Sequence, residues 1–237
     1  MRIGVFDSGI GGLTVLKTLI KRFPNNEYIY YGDTKNLPYG NKSIEELKIF
    51  SSTIIEFLLD KKVDMIIIAC GTVSSNLSSY LKEKYNVPII DIISPVINYL
   101  NNSNYNNIGI IATQATINSK IFSRNVNKNI KEVACPMFVP LIENNKIYEL
   151  NNYFKEYLED LKDSDLIVLG CTHYPLIKKE INQYLNIKLL DMSDCINNIS
   201  NNDTSRVDLY FSKLDDNIIN NVNNILNLKN YSINLIN

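Results

Sequence analysis

One internal repetition constrains this chain more than any other feature. The segment Asp64-Met-Ile-Ile-Ile-Ala-Cys70-Gly-Thr72 matches Asp165-Leu-Ile-Val-Leu-Gly-Cys171-Thr-His173 position for position. Each has an acidic start, four apolar residues, a small residue and then cysteine. Such an unbroken apolar run reads as a buried parallel strand. Upstream, Arg2-Ile-Gly-Val-Phe-Asp7 resembles Asn107-Ile-Gly-Ile-Ile-Ala112, and Ile3 precedes Cys70 by nearly the distance that Ile108 precedes Cys171. Any two parallel strands look alike. Cysteine at the same place in both, among only 4 in 237 residues, makes coincidence the poorer account. Two similar α/β halves follow, each with a cysteine at the carboxyl end of a central strand.

The rest of the chain fits that plan, with short apolar runs alternating with amphipathic segments. Strands are predicted at 3–6, 28–31, 65–69, 88–92, 108–112, 166–170 and 188–191, and a further one at 208–211. Ser43 and Glu46 form a capping box opening a helix over 44–59, and further helices are predicted over 10–22 and 73–85. No Pro/Gly/Ser-rich linker divides the chain. The turn-rich stretch 101–107 is the expected seam, placing residues 1–98 with 208–237 in the first half and 99–207 in the second.

Composition excludes several partners. Net charge is −1, from 24 basic and 25 acidic residues that are interspersed, so no basic stripe offers itself to nucleic acid. No apolar run approaches the ~18 residues of a membrane span. Met1–Phe6 reads as a strand running into a motif and not as a signal peptide. The expected location is therefore cytoplasmic, where four cysteines are free thiols rather than disulfides. The Asn-rich stretches 101–107 and 220–227 read as solvated turn and surface helix.

Ligands of open α/β sheets bind beyond the carboxyl ends of strands. Four polar motifs fall there: Asp7-Ser8-Gly9-Ile10-Gly11-Gly12, Cys70-Gly71-Thr72, Thr113-Gln114-Ala115-Thr116 and Cys171-Thr172-His173-Tyr174-Pro175. A fifth, Leu37-Pro38-Tyr39-Gly40, follows the second strand. The glycines lack dinucleotide spacing; they suit a tight turn and the close approach of a small anion. Metal binding is poorly supported, since there is no CxxC and only 1 histidine. A redox pair and a cysteine–histidine nucleophile remain open, although proton transfer fits better. A thiol titrating near pH 8.5 can remove a proton from one face of a carbon while a second thiol returns one to the other. Asp7 and His173 are placed to tune the two thiols, and Asp7 also to cap the helix after it. Cys135 and Cys195 read as small hydrophobes.

Together Phe6–Gly12, Tyr31-Gly32-Asp33-Thr34, Leu37–Gly40, Ile68–Thr72 and Gly170–Pro175 resemble glutamate racemases in order and spacing, from residue 3 to about 211. The resemblance implies two Rossmann-like α/β halves with parallel-rich sheets, related by pseudo-twofold symmetry around one cleft. It implies no cofactor, neither pyridoxal phosphate nor metal. It makes Cys70 the base toward D-glutamate, assisted by Asp7, and Cys171 the base toward L-glutamate, assisted by His173. Asp7, Ser8, Tyr39, Gly40, Gly71, Thr72, Thr116, Thr172 and His173 would hold the substrate. A homodimer supplying D-glutamate for peptidoglycan is the expected context. None of these motifs contains Arg or Lys, so backbone N–H groups and hydroxyls must hold the carboxylates. One departure is Gly71, where the family has Asn. It keeps aspartate in view as a shorter substrate, although the Pro38-Tyr39-Gly40 and Thr172–Pro175 motifs favour glutamate. A binding or regulatory protein with idle cysteines is the competing class, against which the retention of Asp7 and His173 argues.

Overall fold

A computed structural model describes residues 1–197, 199–201, 204–228 and 230–236. Its first part runs β1 (Arg2–Asp7), α1 (Gly12–Arg22), β2 (Glu27–Gly32), α2 (Ile44–Asp60), β3 (Met65–Ile68), α3 (Gly71–Lys84), β4 (Ile89–Asp91) and α4 (Ile93–Asn102). The second begins with β5 (Asn107–Ala112), α5 (Gln114–Ser119), α6 (Ile121–Asn125), β6 (Asn129–Ala134), α7 (Phe138–Glu143) and α8 (Asn151–Leu158). It continues with β7 (Leu166–Leu169), α9 (Lys178–Leu185) and β8 (Leu189–Asp191), and then β9 (Arg206–Phe211), α10 (Asp216–Leu226) and β10 (Ser232–Leu235) close the chain. The Ser43/Glu46 capping box is formed as predicted.

The repetition in sequence is a repetition in topology. One sheet has the order β10-β9-β2-β1-β3-β4 and the other β6-β5-β7-β8, so each contains the same 2-1-3-4 pattern of parallel strands. Registers agree as well: Ile3 pairs with Met65 and Ile108 with Leu166. The acidic residue opening each repeat has a job in that register. Asp64 Oδ2 accepts the Arg2 N–H, and Asp165 Oδ2 accepts the Asn107 N–H, each fixing the neighbouring strand's first residue. The chain passes from the first sheet to the second between α4 and β5 and returns between β8 and β9.

Alternation along the strands sends side chains to two faces. Ile3, Val5, Met65 and Ile67 from one sheet share a single core with Ile108, Ile110, Leu166 and Val168 from the other. Helices α2 and α3 cover the outer face of the first sheet, and α7, α8 and α9 that of the second. The two halves are therefore welded along one apolar layer, with polar strand ends meeting at its edge.

Candidate active site

In a 2-1-3-4 sheet the connections diverge between the first and third strands, opening a crevice at their carboxyl ends. The two crevices form one small pocket at that position. Ser8, Tyr39, Gly40, Cys70, Gly71 and Thr72 line it from one side, and Thr113, Cys171, Thr172 and His173 from the other. Among the described residues no lysine or arginine lines it. Asp7 and Thr116 do not line the pocket; each is fully buried behind it. Cys135 is buried as a small hydrophobe would be, but it also forms part of the pocket wall with Pro136, Val139 and Pro140. Cys195 packs in the central core. All four cysteines are free thiols.

Cys70 sits where β3 turns into α3, which starts at Gly71, two residues earlier than predicted. Its Sγ lies 3.8 Å from Ser8 Oγ. Burial, then the Asp7 carboxylate, push the Cys70 thiol well above its ordinary value, against the opposing pull of the Val73 N–H and Ser8 hydroxyl. Asp7 itself caps α1: its Oδ2 accepts the Gly9 and Gly12 N–H groups at 3.2 and 2.9 Å. Thr172 Oγ1 donates to its other oxygen at 3.4 Å, joining the two halves. The nearby glycines serve the protein's own side chains and not an approaching anion. A β-carbon on Gly11 would lie 2.4 Å from His173 Nδ1, and one on Gly12 2.4 Å from Asp7 Cβ. Gly71 is confined too, since a β-carbon there would come within 2.8 Å of the Gly170 carbonyl oxygen across the cleft.

Cys171 has a different neighbour. Its Sγ lies 3.8 Å from His173 Nδ1, and His173 Nε2 lies 2.5 Å from Glu143 Oε1 at the end of α7. Burial alone pulls His173 down. The hydrogen bonds and charges of Cys171 and Glu143 overcome it and leave the imidazole well above its usual value. His173 therefore keeps its ring proton to higher pH than a free imidazole does, and it meets Cys171 on one side and Glu143 on the other. Glu143 was not among the sequence candidates, because nothing local marks it. Asp33 was likewise missed as an anchor. Its carboxylate accepts hydrogen bonds from Tyr39 at 2.5 Å, Asn36 and Ser212, fixing the loop that carries Tyr39 and Gly40.

One pocket thus holds Cys70 from the first half and Cys171 and Cys135 from the second, a hydroxyl-rich polar lining and, among the described residues, no lysine or arginine. That arrangement can exchange protons with a small anionic ligand between its two walls. Comparisons with known proteins agree. A family model described as Asp/Glu/Hydantoin racemase matches residues 5–197. A glutamate racemase from Hydrogenobaculum sp. is 40% identical over 233 residues, covering 92% of this chain and 90% of that relative. The crystal structure of glutamate racemase from Francisella tularensis in complex with D-glutamate matches with a TM-score of 0.87 at 32% identity, covering 100% of this chain and 97% of that one. Glutamate racemase from Aquifex pyrophilus matches at 0.84 and 34%, covering 99% and 98%. This chain belongs to the Asp/Glu/hydantoin racemase family.

Proposed function

We propose that this chain interconverts L- and D-glutamate by a two-thiol proton transfer without a cofactor. The observation that carries the reading is the placement of Cys70 and Cys171 at equivalent strand ends on one pocket. The Cys171 thiolate takes the α-proton of L-glutamate, leaving a carbanion. The Cys70 thiol then gives its proton to the opposite face, so the products are D-glutamate, a Cys171 thiol and a Cys70 thiolate. The reverse reaction exchanges the roles. His173 supports the Cys171 thiolate and Asp7 acts on Cys70. The α3 N–H groups and the hydroxyls of Ser8, Thr72 and Thr172 hold the substrate, and Asp7 and Thr116 support that lining from behind. The relatives named above support glutamate as the substrate.

The same reading extends to context. Residues 1–98 with 208–237 and residues 99–207 are proposed as the two halves, supported by the division of strands between sheets. A homodimer working in the cytoplasm and supplying D-glutamate for peptidoglycan is the proposed setting. No helix among the described residues is long and apolar enough to cross a membrane.

Circular dichroism of purified protein with L-glutamate, and separately with D-glutamate, L-aspartate and D-aspartate, tests the reading with no cofactor added. Loss of optical activity with glutamate is expected. Run in deuterated water, the reaction should place deuterium mainly in the product enantiomer at early times. Equal early labelling of substrate and product would point to one shuttling base. Selective turnover of aspartate would move the substrate assignment, and no turnover at all would favour a binding protein.

A further inference from the structure

A ladder of hydroxyls crosses the cleft beside the pocket. Asn76 Nδ2 donates to Ser75 Oγ at 2.9 Å, Ser75 Oγ gives its hydrogen to the Thr72 carbonyl at 3.1 Å, and Thr116 Oγ1 lies 3.5 Å from Ser75 Oγ. Thr116 Oγ1 is 3.1 Å from Thr113 Oγ1, which is 3.0 Å from Thr72 Oγ1. Asn76, Ser75 and Thr72 belong to α3, whereas Thr113 and Thr116 open α5, so the Thr72–Thr113 rung joins the halves. Only those two of the ladder line the pocket.

Counting protons fixes how the rungs can point. A hydroxyl has one hydrogen and two acceptor lone pairs. Thr113 Oγ1 already accepts the Thr116 N–H, capping α5. It can therefore accept from one hydroxyl neighbour and must donate to the other. Either Thr116 feeds Thr113 and Thr113 feeds Thr72, or these two rungs both point the other way; the Asn76 rung cannot reverse, because its amide N–H only donates. A carboxylate in the pocket has no hydrogen to offer, so it is bound well only by the first polarity. There Thr72 accepts from Thr113 and its own hydrogen is free for the pocket. In the reverse polarity Thr72 spends its hydrogen on Thr113 and turns lone pairs toward the anion.

We infer that Thr113 is a positioning residue for carboxylate recognition, feeding a hydrogen bond to Thr72 across the cleft so that Thr72 donates to the substrate. The inference rests on the proposed acidic amino-acid substrate and adds a residue on the second half that acts through one on the first. Substrate binding and the joining of the halves then share a rung.

A double-mutant cycle tests it, using Thr72→Val, Thr113→Val and the pair, with Thr113→Ser as the rescue. Thr113→Val should raise KM for both enantiomers roughly three- to tenfold, the range of one lost hydrogen bond, with a smaller change in kcat. In the Thr72→Val background the same change should add almost nothing, because residues acting through one rung are not additive. Thr113→Ser should restore KM. Thr113 also caps α5, so the unliganded melting temperature is read alongside. A KM rise of the same factor with and without Thr72 makes Thr113 a cap alone and overturns the inference, as does an unchanged KM. If Thr113→Val does not fold, Thr116→Val keeps the cap oxygen while removing the next rung. It should raise KM by a smaller factor, and only when Thr72 is present; the same rise with and without Thr72, or none, again overturns the inference. A native chain that turns over aspartate and not glutamate overturns the substrate reading, and the same variants on aspartate then judge the ladder. A native chain that turns over neither overturns both.

Discussion

Cys70 and Cys171 occupy equivalent positions with unlike neighbours, and the difference has a kinetic consequence. Burial and Asp7 push the Cys70 thiol up, whereas Cys171 has the His173 ring beside it. The raised Cys70 thiol biases the empty site toward the form in which Cys70 carries the proton, the form proposed to accept L-glutamate. L- and D-glutamate have equal free energy, so kcat/KM must be the same in both directions. The bias can only raise kcat and KM for D-glutamate together, by one common factor, and initial rates from each enantiomer should show it. Asp7→Asn keeps an oxygen for capping α1 but removes the charge. The Cys70 pKa then falls and the factor shrinks, by about tenfold for each pH unit that the thiol comes down. Equal kcat values in the native chain would refute this. Glu143→Gln tests the other wall. The Glu143 carboxylate helps to raise His173, so the imidazolium persists below that raised value and is lost as pH climbs through it. Without the carboxylate, burial is opposed by Cys171 alone and the alkaline limb of kcat/KM should move to lower pH, equally in both directions. An unmoved limb would mean that His173 does not set it.

Elements differ in how plainly the sequence announces them. Ser43 and Glu46 lie three positions apart and make their cap locally, so α2 was legible, and Ser43→Ala should cost about 1 kcal/mol. Urea unfolding checks this as a lower midpoint at constant slope. The central strands β1, β3, β5 and β7 were equally legible, because both their faces are buried and their residues are apolar apart from Arg2 and Asp7 at the ends of β1 and Asn107 at the start of β5. Strand β6 was not. It lies at a sheet edge, and Asn129, Lys131 and Glu132 break its apolar pattern. At the site, the cysteines and His173 stood out because they fall at strand ends. Glu143 did not, since its partner is 30 residues away and meets it only after folding; Thr113 stood in a strand-end motif, but its link to Thr72, 41 residues away, was not legible. Asp7 illustrates a mixed case: its capping role was readable from position, but its turn away from the pocket was not.

Across the whole molecule, one shared core predicts one transition. Ile108, Ile110, Leu166 and Val168 belong to one buried cluster with Ile3, Val5, Leu13, Leu16, Met65 and Ile67 of the first half. Unfolding followed by tyrosine fluorescence and by far-ultraviolet dichroism should therefore coincide, and a fragment of residues 99–207 should not fold stably by itself. Two separated transitions would show that the halves are independent. The matching strand order has a different bearing, on handedness. A site made from two copies of one supporting scaffold starts with no preference between mirror images, and each later substitution on one wall introduces one. Such a preference cannot enrich either mirror image in solution, where equal energies dictate equal amounts. It decides instead which form occupies the protein when both are present. With the Cys70 thiol held up, the proposed occupant is L-glutamate, so in an equal mixture most of the molecules holding ligand would be holding the precursor of the product they are proposed to supply.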